Sequence, residues 1–330
     1  MKIDRFVEDE EGPVEIAIEL DGKRGPFDYD ELLAAGMIKQ RQKDLYTVRL
    51  RCPGGRVSLR KLRAITDAVE QYGDDYIHLS FRQSVEIPYV NSSHLAPLKD
   101  LLEEAGQEFA TCGARIRVPT ACSGCEYNPN ALVDTQKMAG IIDGECFGKP
   151  LPHKFKISFS GCNIDCARTS SADLGFQGAV LPEFVSESCT ACGFCIAGCA
   201  EEALRPDSSG KPVLDSEKCT YCARCIRVCP AEACRAVKTG WIVRCGGKHG
   251  PHPAVGHVLA EFVSDVDIVA IVKVVSDWYA EKAASQARIR LSTLLQRPDL
   301  WQDFVGHVRN YIGQNMRTGP KPPTPIDLYD

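Results

Sequence analysis

The chain carries seventeen cysteines, and most of them are spaced like metal ligands. The stretch SGCNIDCARTS places Cys162 and Cys166 four positions apart in a polar turn, and TACSGCEYNP places Cys122 and Cys125 three apart. The N-terminus MKIDRFVEDEEG has no hydrophobic signal core, so we expect a cytoplasmic protein whose cysteines stay reduced. Free thiols at ligand spacing predict metal binding rather than a disulfide framework.

The strongest motif is a duplicated run, SCTACGFCIAGC followed by KCTYCARCIRVCP. Each run reads Cys-x2-Cys-x2-Cys-x3-Cys, the spacing of two-cluster bacterial ferredoxins, in which the fourth cysteine serves the other cluster. Tetrahedral zinc is the alternative for paired Cys-x2-Cys motifs, but it explains this duplicated run poorly. We therefore predict a ferredoxin module over about residues 183–237. Its first 4Fe-4S site takes Cys189, Cys192, Cys195 and Cys229, and its second takes Cys219, Cys222, Cys225 and Cys199.

The two cysteine pairs outside this module supply four more thiolates. Cys122 and Cys125 precede the segment HKFKISF, whereas Cys162 and Cys166 follow it. Four thiolates are enough for a third 4Fe-4S cluster, assembled in space from two loops. The remaining cysteines, for which a buried free thiol is the usual explanation, are Cys52, Cys112, Cys146, Cys234 and Cys245.

Basic side chains alternate with apolar ones along predicted strands that flank the cysteine pairs. Because successive side chains on a strand point to opposite faces, residues two apart share a face. Such cations could converge on one anionic ligand, although the alternative for any single pair is a strand face that meets water. The cations are Arg49 and Arg51 in TVRLR, Arg82 in LSFRQ, Arg115 and Arg117 in ARIRV, and Lys154 and Lys156 in HKFKISF.

The elements that position these cations indicate a compact α+β unit. DLYTVRLR alternates as a strand, and Ser58 caps a predicted helix that ends at Gly73. YIHLSFRQSVEIP predicts one long strand or a pair of strands. A second helix is expected from about residue 93 to residue 105, where Gly106 ends it.

Composition limits the classes of function. At 330 residues with 44% apolar composition, the chain is long enough for two or three structural units with their own cores. A net charge of −5 gives no global positive field for nucleic acid, and the apolar runs are too short to span a bilayer. The sequence has neither GxGxxG after a strand nor GxxxxGK[ST], so nicotinamide or flavin chemistry is expected on a partner subunit.

Taken together, the motifs resemble the siroheme-dependent sulfite and nitrite reductases. The resemblance is carried by VRLRCPGG, LSFRQ, TCGARIRVPTAC, LPHKFKISFSGC, NIDCA and SADLGFQGAV, and it runs from about Leu45 to Glu281. With the inserted ferredoxin module, the chain is most similar to the catalytic subunit of anaerobic, dissimilatory-type sulfite reductases. The implied fold is an α+β siroheme sulfite-reductase-like domain with an inserted two-cluster 4Fe-4S ferredoxin domain.

This resemblance predicts a division of the chain into six parts. Residues 1–43 form an N-terminal extension, 44–110 a ferredoxin-like half-domain, 111–182 the first part of the siroheme and cluster domain, 183–237 the inserted ferredoxin domain, 238–315 the completing part with C-terminal helices, and 316–330 a proline-rich tail.

The resemblance also implies roles for individual residues. In the family, the last cysteine of the Cys-x3-Cys loop, here Cys166, bridges the cluster to the siroheme iron. Arg51 and Arg117 are expected to bind the anionic substrate, and Lys154 and Lys156 to donate protons. The groups expected to hold siroheme are Arg49, Arg82, Arg115 and the backbone N–H groups of Gly246 and Gly247.

The implied reaction is the six-electron reduction of sulfite to sulfide with siroheme and three 4Fe-4S clusters. Electrons would come from a donor subunit or a ferredoxin-type protein and pass through the ferredoxin module. Nitrite reduction on the same cofactor is one alternative, and a haem-free electron-transfer or redox protein is another. Because the family builds its haem site between two related halves, we expect a hetero- or homo-oligomer.

One position departs from the family pattern. The family's first cluster motif has five residues between its cysteines, and Asn128 stands where the second cysteine is expected. We interpret Cys125 as a shifted ligand, which changes the spacing of this pair of thiolates.

Overall fold

The computed structural model describes residues 29–284 and 288–326. The N-terminal stretch MKIDRFVEDEEG and the last four residues of the tail lie outside the described residues. The helices are α1 (Tyr29–Ala34), α2 (Leu59–Tyr72), α3 (Leu95–Glu104), α4 (Thr135–Cys146), α5 (Phe194–Ala197), α6 (Arg224–Arg227), α7 (Asp265–Lys282), α8 (Leu291–Leu295) and α9 (Pro298–Ile312). The strands are β1 (Met37–Lys39), β2 (Leu45–Arg49), β3 (His78–Leu79), β4 (Val85–Asn91), β5 (Thr120–Ala121), β6 (Ile157–Ser160), β7 (Leu174–Phe184), β8 (Leu204–Pro206), β9 (Pro212–Leu214), β10 (Cys234–Cys245), β11 (Ala254–Val255), β12 (His257–Val263) and β13 (Thr324–Pro325).

The first layer is an antiparallel sheet of four strands in the order β1-β2-β4-β3, which shares a core with α2 and α3. Helix α2 is confirmed with its caps, because Ser58 Oγ accepts the N–H of Lys61 at 3.3 Å and the Gly73 N–H donates to Val69 O. YIHLSFRQSVEIP forms a pair of strands rather than one strand, with Arg82 in the turn between β3 and β4.

Part of the predicted N-terminal extension joins this first sheet. Strand β1 pairs antiparallel with β2, in a register that places Ile38 opposite Thr47. The preceding helix α1 is tied to the rest of the fold by the Cys112 N–H, which donates to Leu33 O at 2.7 Å. Residues 29–43 are therefore integral to the half-domain.

The second layer is a mixed sheet of five strands in the order β12-β10-β7-β6-β5. Strands β5, β6 and β7 run parallel, whereas β7, β10 and β12 are antiparallel. Its buried side chains form one core with those of α4, α7, α8 and α9, and Phe159 stacks on Phe176 at the centre. The parallel edge places the loops after β5 and β6 side by side, and these loops carry the two cysteine pairs.

The cysteine-rich module is inserted at the far end of a long hairpin. Strands β7 and β10 pair from Leu174 opposite Cys245 to Phe184 opposite Cys234, and the module leaves and returns at that end. It contains the short helices α5 and α6 and the β8-β9 hairpin. The mixed α+β architecture agrees with the predicted fold class.

The predicted tail contributes to the fold through β13, which pairs antiparallel with β11. Within residues 29–284 and 288–326, no helix is both long and apolar enough to cross a membrane.

Candidate functional site

Two basic segments are held side by side next to the β6 end of the mixed sheet. The Arg117 N–H donates to Phe155 O at 2.9 Å, and the Phe155 N–H donates to Arg115 O at 3.0 Å. Phe155, Ile157 and Phe159 are fully buried, so Lys154 and Lys156 lie on the opposite face of their segment. The alternation seen in the sequence therefore exists in three dimensions.

Four of the predicted cations form what we call the cation cluster: Arg82, Arg117, Lys154 and Lys156. Arg82 Nη2 donates to Val118 O at 2.7 Å, and Arg117 Nη2 donates to Cys112 Sγ at 3.2 Å. In the described ranges, none of the four side chains forms an ion pair with a carboxylate. The carboxylate that acts on Arg82, Lys154 and Lys156 is Asp173, which is already paired with Arg290, so positive charge is in excess here.

The cations in this cluster repel one another. Burial and then repulsion from Arg82 and Arg290 lower the pKa of Lys156 to about 8. Burial, followed by repulsion from Arg117, lowers the pKa of Arg82 to about 10, and burial and Arg290 lower the pKa of Lys154. Since unpaired buried charge is costly unless it is compensated, this arrangement fits a bound anion.

A buried ion pair that the sequence did not reveal lies against the cluster. Arg290 Nη2 is 3.0 and 2.9 Å from the two carboxylate oxygens of Asp173, which is fully buried. The same carboxylate accepts the backbone N–H of Lys156 at 2.9 Å and so fixes the lysine segment. The sequence offered one signal for this ion pair: Asp173 is the lone acid in the largely apolar motif SADLGFQGAV.

Arg51, which the resemblance assigns to substrate binding, is held in ion pairs outside the cation cluster. Its Nε lies 2.8 Å from Asp143 Oδ2, and it also pairs with Glu108. Its guanidinium stacks 4.0 Å from the centre of the Phe147 ring. Two carboxylates pair with Arg51, and these contacts join the first layer to α4.

Arg49 and Arg115 occupy different positions relative to the cluster. Arg49 Nε donates to Glu86 Oε1 at 2.7 Å, yet its charge still contributes to lowering the pKa values of Arg82 and Arg117. It therefore lies at the border of the cluster. Arg115 instead donates to Gly148 O at 3.0 Å, so this donor is used within the fold.

Close packing requires glycine at Gly246 and Gly247, the two positions predicted to hold siroheme through their backbone N–H groups. The Gly246 N–H donates to Asp173 O at 2.9 Å and is not free for a ligand, which corrects its predicted role. Gly246 has φ +84°, and a side chain there would meet Pro323. A Cβ on Gly247 would lie 2.2 Å from Ser170 O, so this position also excludes other residues.

Three of the four thiols predicted for the third cluster lie near one another. Burial raises the pKa of the Cys162 thiol, and the neighbouring Cys122 and Cys166 raise it further. Cys122 Sγ accepts the N–H of Gly161 at 3.1 Å, which joins the two loops. Cys125 lies on an exposed turn, where its N–H donates to Val133 O at 3.3 Å.

The cysteines of the inserted module line two cavities, in the two groups that the ferredoxin spacing predicts. The first cavity is lined by Cys189, Cys192, Cys195 and Cys229, together with Cys234. The second is lined by Cys199, Cys219, Cys222 and Cys225. In the described ranges, no three or more Cys, His, Asp or Glu side chains are arranged to hold a single metal ion. Thiols that surround a cavity suit a multi-iron cluster better than one tetrahedral zinc.

The second cavity lies next to the Cys162–Cys166 loop, which carries two of the thiols predicted for the third cluster. Asn163, which follows Cys162, lines this cavity, and its Nδ2 donates to Thr220 Oγ1 at 3.2 Å. The charge of Arg227, from the module's helix α6, also acts on Cys162. The module therefore contacts the Cys162–Cys166 loop through its second half.

Comparison with known proteins agrees with these observations. The nitrite and sulphite reductase 4Fe-4S domain matches residues 112–316, and the ferredoxin-like half domain of the same enzymes matches residues 38–105. The chain is 34% identical to a coenzyme F420-dependent sulfite reductase of Methanocaldococcus jannaschii, over 79% of this chain and 42% of that protein. It is 28% identical to one subunit of the anaerobic sulfite reductase of Salmonella typhimurium, over 51% of this chain and 56% of that protein.

The fold resembles the crystal structure of dissimilatory sulfite reductase I with a TM-score of 0.67 and 18% identity, covering 87% of this chain and 73% of the other. The chain spans about half the length of the curated relatives described above. Because the 4Fe-4S domain alone matches more than half of its residues, the chain belongs to the nitrite and sulphite reductase family.

Proposed function

We propose that this chain is the catalytic part of a sulfite reductase and reduces sulfite to sulfide by six electrons. The observation that carries this proposal is the cation cluster, in which two arginines and two lysines act on one another electrostatically and none of them forms an ion pair with a carboxylate. The relatives named as sulfite reductases support the choice of substrate. Arginine forks suit oxyanions, and lysine can both attract an anion and donate a proton.

The residues present fit siroheme, a cofactor that carries carboxylates and an iron with an open face. Uncompensated cations suit its carboxylates, and the Cys162–Cys166 loop follows directly from the strand that Lys156 leads into. Bound siroheme would supply the iron at which the oxyanion is reduced. Arg82 would hold its carboxylates, with Arg49 beside it at the border of the cluster, and Cys166 would be the thiolate beside it.

Substrate handling then falls to the remaining cations. Arg117 is buried and would bind the oxyanion. Lys156, with a pKa of about 8, is protonated at neutral pH and can still release its proton readily. We assign proton donation to Lys156 and Lys154, because each departing oxygen must be protonated.

We further propose three 4Fe-4S clusters. Two would occupy the cavities of the ferredoxin module, and the third would be held by Cys122, Cys125, Cys162 and Cys166. The contact between Asn163 and Thr220 supports an order in which electrons pass from the first cavity to the second and then to the third cluster. A separate donor subunit or ferredoxin-type protein would supply the electrons, in a hetero- or homo-oligomer.

Turnover of sulfite and nitrite by the anaerobically purified protein, with a reduced low-potential dye as donor, tests the proposal. We expect sulfide formation and a visible spectrum with the Soret and red bands of siroheme. Faster nitrite turnover with negligible sulfide would favour nitrite reduction, which the name of the matching family also covers. A protein that binds iron but shows no chlorin-type bands would instead be a haem-free electron-transfer protein.

A further inference from the structure

Cys112 is a buried cysteine to which the ligand spacing of the sequence gives no role, and only 4% of its surface is exposed. Its sulfur accepts hydrogen bonds from two guanidinium groups. Arg49 Nη1 lies 3.1 Å from the sulfur, and Arg117 Nη2 lies 3.2 Å from it. One sulfur atom therefore links an arginine of the first layer to an arginine of the cation cluster.

The position of this sulfur is fixed by the first layer of the fold. Arg49 Nε donates to Glu86 Oε1 at 2.7 Å, and Arg49 Nη2 pairs with the same oxygen. Glu86 is buried, and its second oxygen lies 2.7 Å from His78 Nδ1. The backbone of Cys112 is held as well, because its N–H donates to Leu33 O at 2.7 Å. The sulfur thus has a rigid support on the side away from Arg117.

Arg117 depends on this sulfur for its orientation. Within residues 29–284 and 288–326, its guanidinium forms no other hydrogen bond and no ion pair. A guanidinium carries five N–H donors in a planar fork, so the bond to sulfur leaves other donors for an oxyanion. A thiol sulfur is also a weak acceptor. It can set the direction of the fork where a carboxylate would compete with the bound anion.

We propose that Cys112 is a positioning residue for substrate binding, whose sulfur holds the Arg117 guanidinium in place and ties it to the Arg49–Glu86 pair. The inference rests on the proposed function, in which Arg117 binds the oxyanion. A free arginine side chain has many rotamers, and a side chain that is fixed beforehand loses less freedom when its ligand binds. Cys112 therefore strengthens sulfite binding through Arg117.

The test is a calorimetric titration of the complete, anaerobically purified protein with sulfite, in the absence of an electron donor. In Cys112→Ala we expect the dissociation constant of sulfite to rise by about threefold to tenfold, the net effect of one hydrogen bond. Cys112→Ser keeps an acceptor and should bind sulfite as the wild type does. Cys112→Val fills the space without an acceptor, so it remains informative if Cys112→Ala does not fold.

Two further measurements separate positioning from a general loss of structure. If Cys112 acts through Arg117, Cys112→Ala should not weaken binding further when it is added to Arg117→Met. In turnover, Cys112→Ala should raise KM for sulfite and leave kcat unchanged, because the lysine proton donors are untouched. Cys146→Ala is the matched control: Cys146 is also 4% exposed, and in the described part of the chain no arginine donates to its sulfur.

Wild-type affinity in both Cys112→Ala and Cys112→Val would overturn the proposal. Equal weakening in Cys112→Ala and Cys146→Ala, or an additive loss in the double variant with Arg117→Met, would also overturn it. Failure of the proposed function looks different. A wild-type protein that binds sulfite but forms no sulfide would remove the reductase assignment and leave the role of Cys112 intact, whereas a wild type that binds no sulfite would overturn both.

Discussion

Arg290 and Asp173 form a buried ion pair across 117 residues of sequence, with Nη2–oxygen distances of 3.0 and 2.9 Å. Asp173 has no exposed surface, and Arg290 is only 11% exposed. The carboxylate also holds the backbone N–H of Lys156 at 2.9 Å. The pair therefore joins the start of β7 and the start of α8 to the segment that carries the cation cluster.

Asp173→Asn should destabilise the protein strongly. The substitution leaves the buried Arg290 without a counter-charge, and breaking a buried pair in this way costs about 3–5 kcal/mol in the free energy of unfolding. The midpoint of urea unfolding measures the effect. Asp299→Asn, which removes the partner of the exposed Arg297, is the control and should leave the midpoint unchanged. Equal midpoints for the two variants would show that the buried pair contributes little.

Lys156→Met should lower sulfite turnover by about 100-fold or more, the effect expected for loss of a positioned proton donor. The siroheme spectrum and the iron content should stay as in the wild type. Because the folded-state pKa of about 8 lies below the ordinary value of 10.5, the unfolded chain binds more protons between these values. Stability rises with pH across this window, so removing the charged amine should not weaken the fold at neutral pH.

Lys273→Met is the control for this experiment, since Lys273 pairs with Glu145 on the surface and should not affect turnover. Full turnover in Lys154→Met, in Lys156→Met and in the double variant would contradict the assignment. Loss of siroheme together with activity would instead place these lysines in cofactor binding.

The pH dependence of kcat/KM should report the protonation of Lys156. The groups that face it are Arg82, Arg290, Lys154, His249 and the carboxylate of Asp173, and burial with the cationic neighbours lowers its pKa to about 8. A proton donor must be protonated, so its contribution falls about tenfold per pH unit above pH 8. Lys156→Arg keeps its proton throughout, and the ratio of the wild-type profile to the Lys156→Arg profile cancels the titration of sulfite itself. A ratio that stays flat from pH 7 to pH 10 would exclude this role.

Local patterns in the sequence predicted the elements around the site well. The alternation in HKFKISF and ARIRV correctly separated buried Phe155, Ile157 and Ile116 from the basic residues, because period two is a property of the strand itself. Gly106 ends the second helix as expected with φ +77°, although the α-helix begins at Leu95 after a short 3-10 turn. Leu59, at the start of α2, is 69% exposed, because the buried face of that helix begins only at Ile65.

Local sequence patterns could not predict ion pairs between residues that are distant in sequence. Arg49 pairs with Glu86 and Arg51 with Asp143, and neither acid is marked by any motif. The partnership of Arg290 with Asp173 likewise depends on how α8 packs against the mixed sheet. The grouping of cysteines in the ferredoxin module could be predicted because the ligand spacing is local in sequence.

Cys125→Ser tests the position at which the chain departs from its family. If Cys125 is the shifted ligand, the iron content should fall by about four from a total of about thirteen, which counts twelve cluster irons and one in siroheme. Cys146→Ala removes a buried core thiol and should keep all the iron. The double variant Cys125→Ser/Asn128→Cys restores the spacing of the family and should recover the lost cluster, because Asn128 belongs to the same loop: its N–H donates to Gly124 O at 3.2 Å. Full iron content in Cys125→Ser alone would mean that another group completes the cluster, and Asn128 would then be the first side chain to substitute.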